Sequence, residues 1–359
     1  MEAAEPAGQL LPDCPALGEF YIHAMKELSA PAAGGKKLVQ WEGKDQQQQD
    51  AHEFLSQLLT NLGSRLPDCD LHGPREPGDH KRLAALEREL TEAARVKFAA
   101  RSRESRETAR QNAINLLFEY SVLQWTASPA RMQSRSLSAI FEGQRLTYIS
   151  CSECGRFAAS DAEPFTMEEV KLGTPAQDSG WFTQLGNLFT DSSLPAKVTL
   201  SSLLQSNVDR SAPEGYRCPN HRCNCVGKSS RTVKFLRLPA TLVIHVNRAQ
   251  LDGSRCGAAV EFGLTVDLAE LGLVADFGRP VDRDWEPCAT RYRLISAVFH
   301  QGATARSGHY FSYISFGGAW VCVNDGSVAE ARVTPMDLEA AESVQGPRVA
   351  LLFYRRVDS

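Results

Sequence analysis

Several things are missing from this 359-residue chain, and each absence removes a class of function. No run of about 18 apolar residues occurs, the least a membrane-spanning helix needs. Met1 to Pro15 carry two glutamates, with two prolines before Cys14, instead of a basic, apolar leader, so neither secretion nor membrane insertion is expected. Charge of one sign is not in excess: 39 Lys and Arg against 43 Asp and Glu leave a net charge of −4. No nucleic-acid or membrane surface is expected from so even a balance. No internal repeat is visible. Cysteine is the exception to this scarcity. Ten are present, a number that suits a disulfide scaffold only in a much shorter, secreted chain. Without a leader they are expected to be reduced, as metal ligands, catalytic groups or buried thiols, in cytosol or nucleus.

The apolar pattern places helices early and strands late. Apolar residues recur at helical spacing over 16–28, ended by Pro31 and Gly34-Gly35. A second helix is expected over 47–62, with Ala51, Phe54, Leu55, Leu58, Leu59 and Leu62 on one face and Gly63 as its stop. Residues 81–110 hold nine Lys/Arg and five Asp/Glu around a thin stripe of Leu83, Leu86, Leu90 and Phe98. That reads as a solvated helical insertion pairing its own charges at i,i+4. From Phe141 onward, segments such as "QRLTYIS", "TVKFLRL", "TLVIHVN", "YRLISAVFH", "YFSYISF", "AWVCVN" and "VALLFYR" read as strands. Residues 173–195, rich in Gly, Ser and Asp, read as a surface insertion. An α+β domain follows from this order.

Two cysteine knuckles flank strands. "ISCSECG" supplies Cys151 and Cys154, and "YRCPNHRCNC" supplies Cys218, His221, Cys223 and Cys225. Two turns that each offer two soft ligands can close a tetrahedral, structural zinc site and tie strand ends together. The fourth ligand is either His221 or Cys223. No open coordination position with a nearby base is implied, so catalytic zinc is not expected.

The stretch "SGHYFSYISFGGAWVCVNDGSV" reads as a hairpin turning on Gly317-Gly318. With a two-residue turn, Phe316 opposes Ala319, Tyr313 opposes Cys322, Phe311 opposes Asn324 and His309 opposes Gly326. His309 and Asn324 then share a face as diagonal neighbours, and Asp325 points away. This is what an imidazole base needs when its second nitrogen must be oriented by a partner. A bulge or a three-residue turn would give that role to Asp325. Gly308, just before the histidine, leaves room for a substrate backbone. His245 reads as an ordinary core histidine, and His52 suggests no constellation.

With these features in view, the sequence resembles the ubiquitin-specific proteases, papain-like thiol deubiquitinases, from about Gln46 to Arg355. "QQDAHEFL" resembles the motif at a helix start whose acidic residues, here Asp50 and Glu53, lie beside the ubiquitin tail. "FEGQRLTYISCSECG" and "YRC…C" resemble the two halves of the family's zinc-stapled fingers, and "LISAVFHQGATARSGHYFSYI…WVCVNDGSV" its histidine box. The resemblance implies a hand-like fold: thumb helices over 1–63, a charged helical insertion over 64–135, fingers over 136–235 with an insertion at 172–196, and a palm over 236–357. It implies His309 as general base, Asn324 as the residue orienting it, Asp325 as substitute or helper, and Gly308 and Tyr310 beside the ubiquitin tail. It also implies structural zinc held from among Cys151, Cys154, Cys218, His221 and Cys223, with ubiquitin or a ubiquitinated protein as partner.

One departure stands out. The family's Asn-x-Cys-Tyr box, which carries the nucleophile, does not occur in these 359 residues. Cys14 is the only cysteine before the Gln-rich motif, and it lacks those surroundings and lies too close to Asp50. Two expectations follow: an enzyme whose nucleophile lies upstream of this sequence, or a pseudo-protease that binds ubiquitin without cutting it.

Overall fold

The computed structural model describes residues 50–63, 78–99, 102–127, 137, 140–154, 157–159, 163–172, 197–211, 215–250, 255–274, 289–304, 307–339 and 346–357. The expected helix over 16–28, Cys14, and the insertion at 173–195 lie outside these residues.

Its helices are α1 (Ala51–Gly63), α2 (Gly78–Ala99), α3 (Arg103–Ala127), α4 (Leu200–Val208) and α5 (Pro335–Glu339). Its strands are β1 (Gly143–Cys151), β2 (Phe157–Ala159), β3 (Glu163–Phe165), β4 (Glu168–Lys171), β5 (Lys197–Thr199), β6 (Asp209–Ser211), β7 (Ser229–Arg237) and β8 (Thr241–Asn247). They continue as β9 (Ala259–Glu261), β10 (Thr265–Asp267), β11 (Arg291–Thr304), β12 (Ser307–Phe316), β13 (Ala319–Asn324), β14 (Ser327–Glu330) and β15 (Arg348–Arg356). Six of the seven segments quoted above fall wholly in one of these strands, and "TVKFLRL" does so except for Leu238. Among the described residues, no helix is long and apolar enough to cross a membrane.

Helix and strand are therefore mixed, and the two larger sheets are mostly antiparallel. The larger has eight strands in the order β14-β13-β12-β11-β15-β8-β4, with β10 also on β11. The smaller has five, β2-β1-β7-β6, with β3 also on β1. Among the described strands, only β4 with β8 and β5 with β9 run parallel. β8 shows why the large sheet is the centre. Its first six residues are all buried, the pattern of a strand covered on both faces. Leu242, Ile244 and Val246 point into the main core with Phe299, Leu352 and Tyr354. By alternation Val243 and His245 point to the other face, where α1 lies against β15 and the ring of His52 stacks on that of His245.

Helix α1 starts at Ala51, the first residue of its apolar face, and Asp50 caps it. The Asp50 carboxylate accepts from the His52 backbone N–H at 2.7 Å, and the Asp50 carbonyl from that of Phe54 at 2.9 Å. The charged insertion is a helical hairpin, α2 against α3, rather than one helix pairing its own turns. Arg82 donates to both oxygens of Glu119 at 2.7 and 2.9 Å, from one helix to the other. Leu86, Ala93 and Ile114 are buried.

Candidate functional site

The β12–β13 hairpin turns as its two glycines demand. Gly317 and Gly318 have φ of 58° and 85°, the left-handed pair of a two-residue turn that matches strand twist. The register is Phe316 with Ala319, Tyr313 with Cys322 and Ser312 with Val323. Beyond that the two strands part. β12 stays on β11, where His309 pairs with Gln301, while Asn324 ends β13 and pairs with Ser327 of β14 across Asp325-Gly326. The Asn324 side chain bridges the gap, its Oδ1 standing 2.5 Å from His309 Nε2. An oxygen accepts there, so Nε2 carries the proton and Nδ1 keeps its lone pair.

Asp325 departs from the simple alternation argument. Its φ of 50° turns the chain, and its carboxylate returns to 4.0 Å from the same Nε2. It is largely exposed, and Asn324 is the closer partner. Behind the histidine, His309, Phe311 and Tyr313 follow one another along a single face of β12. Phe311 stacks on the fully buried Phe299, ring centroids 5.7 Å apart. This row ties the imidazole to the core while its edge stays open.

The opposite face of the same strand end holds a second group. The Tyr310 and His300 rings lie 4.6 Å apart. Tyr310 also touches the Ala51 backbone, and burial with the nearby Asp50 carboxylate pushes its hydroxyl up to about 12. Arg255 contacts His300 Nδ1 and donates to the His300 carbonyl at 3.1 Å. Burial, then the Arg255 charge, lowers the His300 imidazole to about 4. Asp50 is thus placed beside Tyr310, with Glu53 exposed in the first turn of α1. Gly308 also meets a demand of space. A Cβ there would meet the Gln301 carbonyl and lie 2.5 Å from His300 Nε2. The space beside Gly308 is filled by β11.

His300, Arg255 and the His52–His245 stack were not singled out by sequence. His300 could have been found through "HQGATARSGHY", since Gly302 and Gly308 are the two residues crowded onto its ring. His52 and His245 stack at 4.3 Å with planes 3° apart, and burial holds His245 below its ordinary value. They lie far apart in sequence, in a helix and a strand, and nothing local links them.

At the far end of the small sheet, the two knuckles meet. Cys151 ends β1 opposite Ser229, the first residue of β7. The Arg217–Val226 bridge closes the other knuckle. The sulfurs of Cys151, Cys154, Cys218 and Cys223 all lie within 4.8 Å of one another. Cys151 to Cys223 is 3.9 Å and Cys154 to Cys218 is 3.5 Å. Four thiolates about 2.3 Å from a zinc ion would stand roughly 3.8 Å apart, so this set fits one. His221 is exposed and stands outside the set. Of the two candidates for fourth ligand, the fold brings Cys223 and leaves His221 in solvent. Cys225 stands at the edge of this set, and the other two described cysteines sit elsewhere. Cys322 bonds to Tyr313, and burial raises its thiol; the Cys256 carbonyl accepts from Arg248 at 3.3 Å.

Residues 22–354 match the family model for ubiquitin carboxyl-terminal hydrolase. The chain belongs to that family. Among curated ubiquitin carboxyl-terminal hydrolases, it is 27% identical to number 2 of Gallus gallus over 66% of this chain and 57% of that protein. It is 26% identical to number 3 of Homo sapiens over 62% of this chain and 39% of that protein. It is also 26% identical to number 25 of Arabidopsis thaliana over 45% of this chain and 22% of that one. The matches thus span well under two thirds of those relatives' lengths. Among solved structures, the SAGA Ubp8/Sgf11/Sus1/Sgf73 DUB module bound to ubiquitin aldehyde matches 71% of this chain and 49% of that chain, at 21% identity and a TM-score of 0.44.

Proposed function

We propose that this family member binds the C-terminal tail of ubiquitin and carries the general-base half of a thiol hydrolase acting after ubiquitin's last glycine. The observation that carries the reading is the His309–Asn324 pair at 2.5 Å. An amide oxygen on Nε2 fixes the tautomer, so Nδ1 is the nitrogen that can take a thiol proton and return it to the leaving amine. Without that hold the imidazole would sample both tautomers and many orientations. Asp50, Glu53 and Tyr310 line the approach from α1 and are assigned to the tail. Gly308 keeps the strand flat against His300, so that the tail can pass on its open side. In this reading α1 belongs to a thumb, the large sheet is the palm and the small sheet forms fingers. A zinc ion held by Cys151, Cys154, Cys218 and Cys223 would tie the finger strands together structurally.

Thiol chemistry needs a nucleophile, and no Asn-x-Cys-Tyr box occurs in these 359 residues. That observation supports a second reading, a ubiquitin-binding domain that does not cut. One experiment separates the two. The chain is incubated with ubiquitin bearing a C-terminal electrophile, while ubiquitin binding is measured in parallel by biolayer interferometry. Binding without labelling assigns this chain to recognition, with any cutting dependent on a cysteine outside this sequence. Covalent labelling of Cys14 would overturn the assignment of a missing nucleophile. Absence of ubiquitin binding would overturn both readings.

A further inference from the structure

The cysteine cluster holds one sulfur more than a tetrahedral ion can use. Cys225 is not a member of the set whose sulfurs all lie within 4.8 Å of one another. Yet its Sγ stands 3.4 Å from that of Cys151 and 3.3 Å from that of Cys223. Cys223 itself is farther from Cys151, at 3.9 Å. Both separations are within about 0.4 Å of the edge of a tetrahedral zinc–thiolate site. The backbone between the two cysteines favours this shared approach. Asn224 sits at φ 45°, a left-handed turn that asparagine adopts more readily than most residues. The Cys223 and Asn224 N–H groups both donate to the Asn220 carbonyl, at 2.9 and 2.8 Å, and the Cys218 N–H donates to the Cys225 carbonyl at 2.9 Å. The knuckle is thereby closed with both Cys223 and Cys225 turned toward Cys151. Both are half-buried, whereas Cys151 and Cys218 are buried.

We infer that Cys151, Cys154 and Cys218 are fixed ligands to one zinc ion and that Cys223 and Cys225 are interchangeable fourth ligands. This rests on reading the cluster as a zinc site. The swap is balanced. The arriving thiol loses its proton as its sulfur bonds the metal, the departing thiolate gains one, and the coordination number and charge at zinc are unchanged. At any moment one of the two thiols is free at the open edge of the cluster. The two are only one residue apart, so a shift of this short turn that carries the Cys225 sulfur toward Cys154 and Cys218 exchanges the partners. A site with four ligands and no reserve offers no such route.

Zinc content of the purified, reduced chain tests this by elemental analysis. One zinc per chain is expected for the unaltered protein and for Cys223→Ser and Cys225→Ser separately. Loss of zinc is expected for the double variant and for Cys154→Ser. Loss in either single variant alone would give the site a fixed fourth ligand and overturn the inference, as would retention in the double. No zinc in the unaltered chain would instead sink the metal-site reading itself, a result distinct from failure of exchange. Alkylation by iodoacetamide gives a second readout on the zinc-loaded, folded chain. The tryptic peptide running from Cys223 to Lys228 should carry a single label, divided between the two cysteines. Label confined to one of them, or on both at once, would overturn the proposal.

Discussion

At the scale of single residues, the site depends on which atom of an imidazole holds its proton. Asn324 decides this for His309 by accepting from Nε2 at 2.5 Å. In Asn324→Ala that acceptor is gone, and the exposed Asp325 carboxylate at 4.0 Å is too distant to replace it. Imidazole nitrogen shifts by NMR should show one tautomer for His309 in the native chain and a mixture in the variant; an unchanged spectrum would remove Asn324 from the orienting role. His300 behaves differently. Its burial and the Arg255 guanidinium lower it to about 4, against about 6.5 in an unfolded chain. Between those values the unfolded state holds the extra proton, so stability is retained above pH 6.5 and falls as pH drops toward 4. The groups that face this ring are Arg255, Asp50, His309 and Tyr310. Denaturant midpoints measured from pH 7 to 4.5 should fall, and His300→Gln should flatten that limb.

At the scale of elements, two glycines in one strand pair do separate jobs. Gly318 ends the turn with φ 85° and nothing within 4 Å of where a Cβ would sit, so its need is conformational alone. Gly318→Ala should cost about 1 kcal/mol in urea denaturation, and Gly317→Asn close to nothing, since asparagine accepts this turn. Gly308, at φ 157°, adds a demand of space to one of conformation. A methyl group there would press on the Gln301 carbonyl and the His300 ring, and the backbone of β11 cannot step aside. Gly308→Ala should cost about 1–3 kcal/mol and should also loosen His309, its neighbour in sequence. Equal costs at Gly308 and Gly318 would contradict this division.

At the scale of the molecule, the two main sheets are held in different ways. The large sheet is buried on both faces at β8 and rests on an apolar core that includes Tyr292, Phe299 and Leu352. The small sheet ends in a cysteine cluster that could hold a metal ion, and in the zinc reading that ion would carry part of the sheet's stability. A strong zinc chelator should therefore lower the thermal midpoint and remove hydrogen-exchange protection from β1 and β7 first, leaving β8, β11 and β15 protected. Uniform loss across both sheets would mean that the cluster supports the whole domain.

Much of this arrangement was written locally. The alternation in "YFSYISF" and "AWVCVN", with two glycines between, is enough to set the hairpin register, because a two-residue turn leaves one pairing and one parity. His309 and Asn324 followed from that parity. The knuckle spacing likewise placed Cys151, Cys154 and Cys218, since ligands one turn apart must face together. What local pattern did not carry was any contact between distant segments. His221 and Cys223 were equivalent by spacing, and the turn at Asn224 sent the sulfur inward and left the imidazole in water. Asp325 was assigned to the wrong side because alternation assumes an extended chain, and its left-handed φ ended that. His52 meets His245, and Arg255 meets His300, through the packing of separate elements onto one sheet. Local sequence sets which way a side chain leaves its own strand; only the folded chain sets what it finds there.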